Sequence, residues 1–182
     1  MPILWSQICD FTFQPPPGAS SIKRVRYVNV ALDALDLAIL QTLAQDARTP
    51  MRDLAQQVRL SAPSTAERVR RLEEAGVIEG YSVRISPAAL GLPVGAYLRI
   101  RPMPGELSRV AEILGSLPEI VACDRVTGDD CFIAKALVAT VADLETLIDG
   151  LLRFATTNTS VIVSETVAQR MPSHVRRNET QE

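Results

Sequence analysis

The sequence predicts an α+β chain of two successive units: three short helices closed by a small hairpin, then a β-α-β-β-α-β unit. Three observations predict it. Apolar residues recur at helical spacing from residue 32 to residue 75, the period changes to strand alternation at residue 94, and the two periods interleave from there to residue 168. A length of 182 residues accommodates two such units, each with its own core.

Residues 1–31 stand apart. Pro15-Pro16-Pro17-Gly18 favours an extended chain, and Lys23, Arg24 and Arg26 form a short basic patch, so the stretch reads as a poorly ordered arm, either solvated or touching phosphates. Leu32, Leu35, Ile39, Leu40 and Leu43 then mark a first helix. Thr49 is the expected N-cap and Pro50 the expected first residue of a second helix, with Leu54, Ala55 and Val58 on its apolar face. Ser61 is placed to cap a third, with Pro63 in its first turn, Ala62, Ala66, Val69 and Leu72 along one side and Gly76 at its end. Val77-Ile78 and residues 81–85, split by Gly80, predict a small two-stranded wing, and Ser86-Pro87 closes the unit at residue 86.

In the second unit, residues 87–172, Val94, Ala96, Leu98 and Ile100 alternate with Gly95, Tyr97, Arg99 and Arg101 as a strand. Leu107, Val110, Ala111 and Leu114 give a helix ended by Gly115 and Pro118. Residues 120–127 and 132–139 read as strands joined across a Gly128-Asp129 turn. Thr140 with Asp143 resembles a capping box ahead of a helix carrying Leu144, Leu147, Ile148, Leu151 and Leu152, and residues 161–168 read as the last strand. The order is a ferredoxin-like split βαβ with both helices on one face. Residues 173–182 form a polar tail.

Composition narrows the chemistry. No apolar run is long enough to span a membrane, and the N-terminus lacks the basic start and apolar core of a secretory signal, so a cytoplasmic protein is expected. Cys9, Cys123 and Cys131 include no C-x-x-C pair; small core residues are expected, with a Cys123–Cys131 redox pair as the alternative. The single histidine, His174, leaves no material for a metal cluster or a histidine-activated nucleophile, so no metal, cofactor or catalytic residue is expected. A formal net charge of −2 argues against a generally basic nucleic-acid binder, yet residues 48–84 carry seven arginines against five acids while residues 89–172 carry seven basic residues against ten acids.

Three helices with a tight link between the second and third, followed by a hairpin, are the parts of a winged helix-turn-helix, whose third helix lies in the DNA major groove. With Val69 inward, Ser64, Glu67, Arg68 and Arg71 project outward and Thr65 turns toward the core. Arginine offers paired donors to guanine or phosphate, and a helix N-terminus can hold a phosphate. The alternative is a solvated face on which Arg68, Arg70 and Arg71 are laced with Glu67, Glu73 and Glu74.

Three strings carry a more specific signal: Leu-Asp-Ala-Leu-Asp-Leu-Ala-Ile-Leu from Leu32, Asp-Leu-Ala-Gln-Gln-Val from Asp53, and the run from Leu60 to Tyr81 that opens Leu-Ser-Ala-Pro-Ser-Thr-Ala-Glu-Arg. Together with Val-Thr-Gly-Asp-Asp-Cys-Phe from Val126, they resemble the leucine-responsive regulatory protein / AsnC family of prokaryotic transcription regulators, in the right order over residues 32–172. The resemblance implies a DNA-binding unit followed by an ACT-like effector domain that builds homodimers through its sheets, with further assembly to tetramers or octamers. It implies double-stranded DNA and a small-molecule effector, commonly an amino acid, as partners. Carried over residue by residue, DNA reading falls on Ser64, Thr65, Arg68 and Arg71, with Ser61 and Pro63 shaping the helix start, and Gly128 and Asp129 border the effector site.

Two departures carry expectations of their own. Arg59 stands where the family usually has glycine, which adds strain of roughly 1–2 kcal/mol if the position needs a positive φ. Asp130 follows Gly-Asp and is expected to make the pocket more acidic, favouring a basic amino acid. A Gly-Asp pair between strands also reads simply as a good hairpin turn. Two competing functions share the architecture. One is a sirohaem decarboxylase-like enzyme, which the lack of histidines ahead of His174 disfavours; the other is an amino-acid sensor with a silent front unit, which the outward arginines disfavour.

Overall fold

The computed structural model describes residues 30–172. Nearly all of the expected N-terminal arm, with Cys9, Lys23, Arg24 and Arg26, lies outside the described residues, as does the expected tail with His174.

The front unit holds α1 (Ala34–Gln45), α2 (Met51–Val58) and α3 (Ala62–Glu74). Local chemistry starts each helix. Asp33 and Asp36 form a reciprocal capping box on α1, with Asp33 Oδ1 accepting from the Asp36 N–H at 2.8 Å and Asp36 Oδ2 from the Asp33 N–H at 3.2 Å. On α2 the N-cap is Pro50, one residue later than expected. Thr49 instead turns its hydroxyl back onto the Asp46 carbonyl at 2.8 Å, so it closes the preceding turn rather than the helix. Ser61 caps α3 as expected, its Oγ accepting from the Ser64 N–H at 3.2 Å. Ile39, Leu54, Val58, Val69 and Leu72 make the core between the three helices.

The link from α2 to α3 turns on Arg59, whose φ of 55° and ψ of 43° place it in the left-handed region. It is the one non-glycine residue with positive φ among the described residues. The conformation lets the Arg59 and Leu60 N–H groups reach the Gln56 and Ala55 carbonyls at 3.2 and 3.0 Å, which satisfies the end of α2 and aims α3. Glycine would hold the same turn without the clash between Cβ and carbonyl. Arg59→Gly is therefore expected to stabilise the front unit by about 1 kcal/mol, seen as a melting point a few degrees higher; an unchanged or lower melting point would show that the arginine side chain compensates its own backbone.

The two short strands expected at residues 77–85 are not seen among the described residues. The Val77 and Ile78 N–H groups both return to the Leu72 carbonyl, at 2.9 and 3.1 Å, and their side chains pack under the three-helix core, so they finish α3 instead of starting a strand. Residues 80–85 form no strand among the described residues, and Tyr81, Val83 and Ile85 are exposed. Tyr81 is fastened to α3 by its hydroxyl, which donates to Glu73 at 2.8 Å. Partial burial and that carboxylate push its phenol up to about 12.

After a 3-10 turn at Ala88–Leu90, the rear unit holds β1 (Val94–Pro102), α4 (Leu107–Ser116), β2 (Ile120–Arg125), β3 (Phe132–Val138), α5 (Val141–Leu152) and β4 (Ala155–Val161). The strands order β2-β3-β1-β4, every neighbour antiparallel, as a split βαβ requires. Thr140 and Asp143 form the expected capping box on α5. Leu98, Ile100, Ala134, Ala136 and Ala155 face α4 and α5 and are sealed with Val110, Leu114, Leu144 and Leu151. Tyr97, Arg99, Arg101, Ile133 and Lys135 lie on the opposite, open face.

The last strand lies six residues earlier than residues 161–168. The apolar run Val161-Ile162-Val163 suggests a strand, but only Val161 pairs, opposite Ala96, and the rest of the ladder is made by the threonine-rich stretch before it, in which Thr157 sits opposite Ile100 and Thr159 opposite Leu98. β-Branched threonine suits an edge strand as well as valine does. Beyond β4, Ile162 donates to the Gly95 carbonyl at 2.8 Å and its side chain covers Gly95, where a Cβ would meet Ile162 Cδ1 at 3.2 Å.

Candidate nucleic-acid interface and ligand pocket

The tight α2–Arg59–α3 link leaves the N-terminal end of α3 open to solvent, with Ser61, Ala62, Pro63 and Ser64 all exposed. Ser61 Oγ and Ser64 Oγ share a hydrogen bond of 2.8 Å at this end. Thr65 is fully buried and its hydroxyl donates to the Ser61 carbonyl at 3.0 Å, so it holds the helix start in place and presents nothing outward. The inward direction read from its position on the helix is the one observed.

The two arginines expected on the outer face are not free. Arg68 sits only a quarter exposed, and its Nη1 donates to Asp33 Oδ2 at 2.7 Å and to Asp36 Oδ1 at 2.8 Å. Arg71 gives Nη2 to both oxygens of Asp36, at 2.9 and 2.8 Å, while its side chain remains 55% exposed. Asp36 itself is 1% exposed, so a buried carboxylate on α1 gathers two cations from α3. The Asp36 N–H and the Arg68 guanidinium hold the Asp33 carboxyl below the usual carboxylate range, and the two aspartates raise Arg68 above the ordinary arginine value. The outermost ridge of α3 is a separate lattice, in which Arg70 bonds Glu67 at 2.6 Å and Glu74 at 2.8 Å.

The Gly-Asp turn is where the β2–β3 hairpin predicts it, closed by the Val126 N–H on the Cys131 carbonyl at 2.9 Å, with Gly128 at a φ of +107°. The sequence reading did not include two residues that the structure brings to it. Arg101 Nε donates to the Asp129 carbonyl at 2.8 Å and its Nη2 lies 3.4 Å from the Asp129 carboxylate, while Arg99 Nε lies 3.7 Å from Asp130. Their only trace in the sequence is strand alternation, which places both on the open face of β1. A pocket of about 390 Å³ opens between them, lined by Arg99, Arg101, Asp129, Asp130, Thr156 and Asn158. The second aspartate therefore does not make the pocket acidic, because each carboxylate faces an arginine.

Cys123 is exposed on edge strand β2 opposite Ala134, and Cys131 is half-buried opposite Val126; both are free thiols. The core role expected for them is not seen at Cys123, because β2 is an edge whose outer residues lack a cover. Among the described residues no group of three histidine, cysteine or acidic side chains is placed to hold a metal ion, and no helix is long and apolar enough to cross a membrane.

Comparison with known proteins adds to this geometry. The winged helix-turn-helix DNA-binding family matches residues 32–79, and the Lrp/AsnC ligand binding domain matches residues 95–172. The chain is 35% identical over 134 residues to the HTH-type transcriptional regulator LrpC of Bacillus subtilis, covering 74% of this chain and 93% of that protein. The solved structure of B. subtilis LrpC superposes with a TM-score of 0.73 at 34% identity, over 77% of this chain and all of that one. The feast or famine regulatory protein of Mycobacterium tuberculosis, complexed with L-methionine, superposes with a TM-score of 0.69 at 31% identity, over 78% of this chain and 99% of that one.

Proposed function

The chain belongs to the Lrp/AsnC family of DNA-binding transcription regulators, and from that premise we propose that it acts in the cytoplasm as a homodimer that reads paired half-sites and answers to an amino acid. The observation that carries the DNA reading is the position of α3: its capped N-terminus stands clear of the other helices while its buried side is pinned by Asp36 and Thr65. An open helix N-terminus with Ser61 and Ser64 suits a DNA phosphate or a base edge. Pro63 fixes the first turn that presents them. The two arginines divide the work. Arg68 is spent on holding α3 against α1, and Arg71, more than half exposed and using one terminal nitrogen on Asp36, keeps the rest of its guanidinium for the duplex. A two-fold dimer joined through the open sheet faces would set two such helices about 34–36 Å apart, one turn of DNA.

The effector reading rests on the charge pattern around the Gly-Asp turn. Asp129 and Asp130 offer carboxylates to an ammonium, and Arg99 and Arg101 offer donors to a carboxylate. Two charges of each sign favour an amino acid with no extra charge over a basic one. The relative bound to L-methionine makes that amino acid the first probe. Arg101→Ala removes both a carboxylate partner and the anchor on the Asp129 carbonyl, with Gly128 left as a turn of unfixed direction. Its affinity for L-methionine, by titration calorimetry, is expected to fall about tenfold or more; unchanged affinity would move the effector elsewhere.

Genomic DNA bound by the purified protein, mapped with and without pooled amino acids, tests the whole reading. Discrete sites with paired half-sites whose occupancy shifts with one amino acid are expected. Uniform coverage that disappears at moderate salt would leave only phosphate attraction and remove the sequence-specific role.

A further inference from the structure

A second cleft, of about 520 Å³, lies on the helix side of the sheet, the face opposite the Gly-Asp pocket, between α4 and α5. Its size is that of a small-molecule site. Ile113, Leu147 and Phe154 give it an apolar lining. Arg109 stands over the Phe154 ring with its guanidinium carbon 4.6 Å from the centroid, and Arg153 stands over the same ring at 5.9 Å. Glu119 lines the cleft too, and its Oε2 is buried with no hydrogen-bond partner among the described residues. A buried carboxylate oxygen without a donor is costly, and such an atom in a native fold asks for a group that satisfies it. Arg109, stacked on Phe154, makes no hydrogen bond to it. Gly150 of α5 is also at the cleft, and a Cβ built there meets nothing within 4 Å, so the space beside the helix is open.

We propose that this cleft is a second binding site, for a small molecule with a primary ammonium group on an apolar, ring-sized body. The ammonium donates to Glu119 Oε2, and the body packs against Ile113, Leu147 and Phe154. Asp143, also at the cleft, adds a second carboxylate, so two acids balance Arg109 and Arg153, and it is the unpartnered Glu119 Oε2 that favours an ammonium or a zwitterion over an anion. The same chemistry is presented by an aromatic amine and by an apolar amino acid; for the latter, the guanidinium of Arg109 receives the carboxylate.

Titration calorimetry on the full chain with phenethylamine, L-phenylalanine and 3-phenylpropanoate tests the site, since the third compound keeps the body and lacks the ammonium. At least one of the first two is expected to bind, and 3-phenylpropanoate to bind about tenfold more weakly or not at all. Glu119→Gln keeps the shape and removes the charge, and it is expected to cost about tenfold or more in affinity. Gly150→Leu fills the open space with a better helix former and is expected to abolish binding while α5 stays folded by circular dichroism. In Arg101→Ala, with the Gly-Asp pocket weakened, phenethylamine, which lacks the carboxylate that Arg101 would hold, is expected to titrate as in the parent, which separates this site from that pocket. Loss of affinity for L-phenylalanine but not phenethylamine in Arg109→Ala would identify the amino acid as the ligand type. The proposal is overturned if neither ammonium compound binds at low millimolar concentration, if 3-phenylpropanoate binds equally well, or if Arg101→Ala abolishes binding that Glu119→Gln and Gly150→Leu leave intact.

Discussion

Asp36→Ala is expected to melt the front unit well before the rear one and to abolish operator binding. Asp36 is 1% exposed, and it is the shared acceptor for Arg68 and Arg71 as well as half of the α1 capping box. Removing one partner of a buried ion pair costs about 3–5 kcal/mol when the charge left behind stays buried. Here the arginines keep access to water, at 24% and 55% side-chain exposure, so part of that is recovered and about 2–3 kcal/mol is expected. The loss falls on a unit whose sealed core is small, within a total that for most domains is only about 5–15 kcal/mol. Chemical denaturation followed by hydrogen exchange should show amides of α1 and α3 losing protection while those of β1 and β3 do not. Equal protection in variant and parent would reduce the cluster to a surface decoration.

Two further measurements separate stability from recognition at the same cluster. Asp33 has its carboxyl lowered by the Asp36 N–H and by Arg68, so its contribution is present above the unfolded carboxyl range and is lost as pH falls through the lower folded value. The front unit should therefore weaken below about pH 4, and Asp33→Asn should flatten that acid limb; an unaltered limb would remove Asp33 from the account. Replacing the buried set with apolar groups, as Asp36→Leu with Arg68→Met and Arg71→Met, should restore stability yet leave DNA binding lost, because Arg71 is then gone from the interface. If the triple variant still bound its operator, Arg71 would have no share in contact with DNA.

What the sequence made legible follows the range of each interaction. Ser61 with Ser64 and Thr140 with Asp143 are three residues apart, and their caps could be read directly. The alternation in β1 fixed which face holds Leu98 and which holds Arg99. Arg59 was legible as a misfit, since a glycine position filled by arginine predicts the strained turn that is found. Interactions between distant residues left no such trace. Asp36 and Arg71 are 35 residues apart: helical periodicity turns the arginine outward, where it remains 55% exposed, but does not name the buried carboxylate that it bonds. Arg101 and Asp129 are 28 apart and meet only because β1 and β3 pair. Two of the three strands placed differently share one cause: Val77-Ile78 and Val161-Ile162-Val163 are apolar enough to suggest strands, but the first packs as the end of a helix and the second largely follows one.

Tyr97→Glu is expected to reduce the protein to monomers and to lower operator affinity by about 10²–10⁴-fold, the loss that accompanies conversion of two linked contacts to one. Tyr97 is central on β1, 46% exposed on the open sheet face, with Ile133 nearby on β3 and Lys135 directly across. Within one chain the change is tolerable, because Lys135 can pair with the new carboxylate across the strands. Between two sheets packed face to face it is not, because the carboxylate would be stripped of water opposite a second copy of itself. Tyr97→Phe, which keeps the ring, should leave assembly intact. Light scattering on the eluting protein reports mass, and a gel shift on the mapped operator reports affinity. A variant that keeps the parent mass would place the dimer contact on another surface, such as the exposed Tyr81, Val83 and Ile85 of the linker. A monomer that binds its operator as tightly as the parent would mean that one α3 suffices, and the paired half-site reading would fall with it.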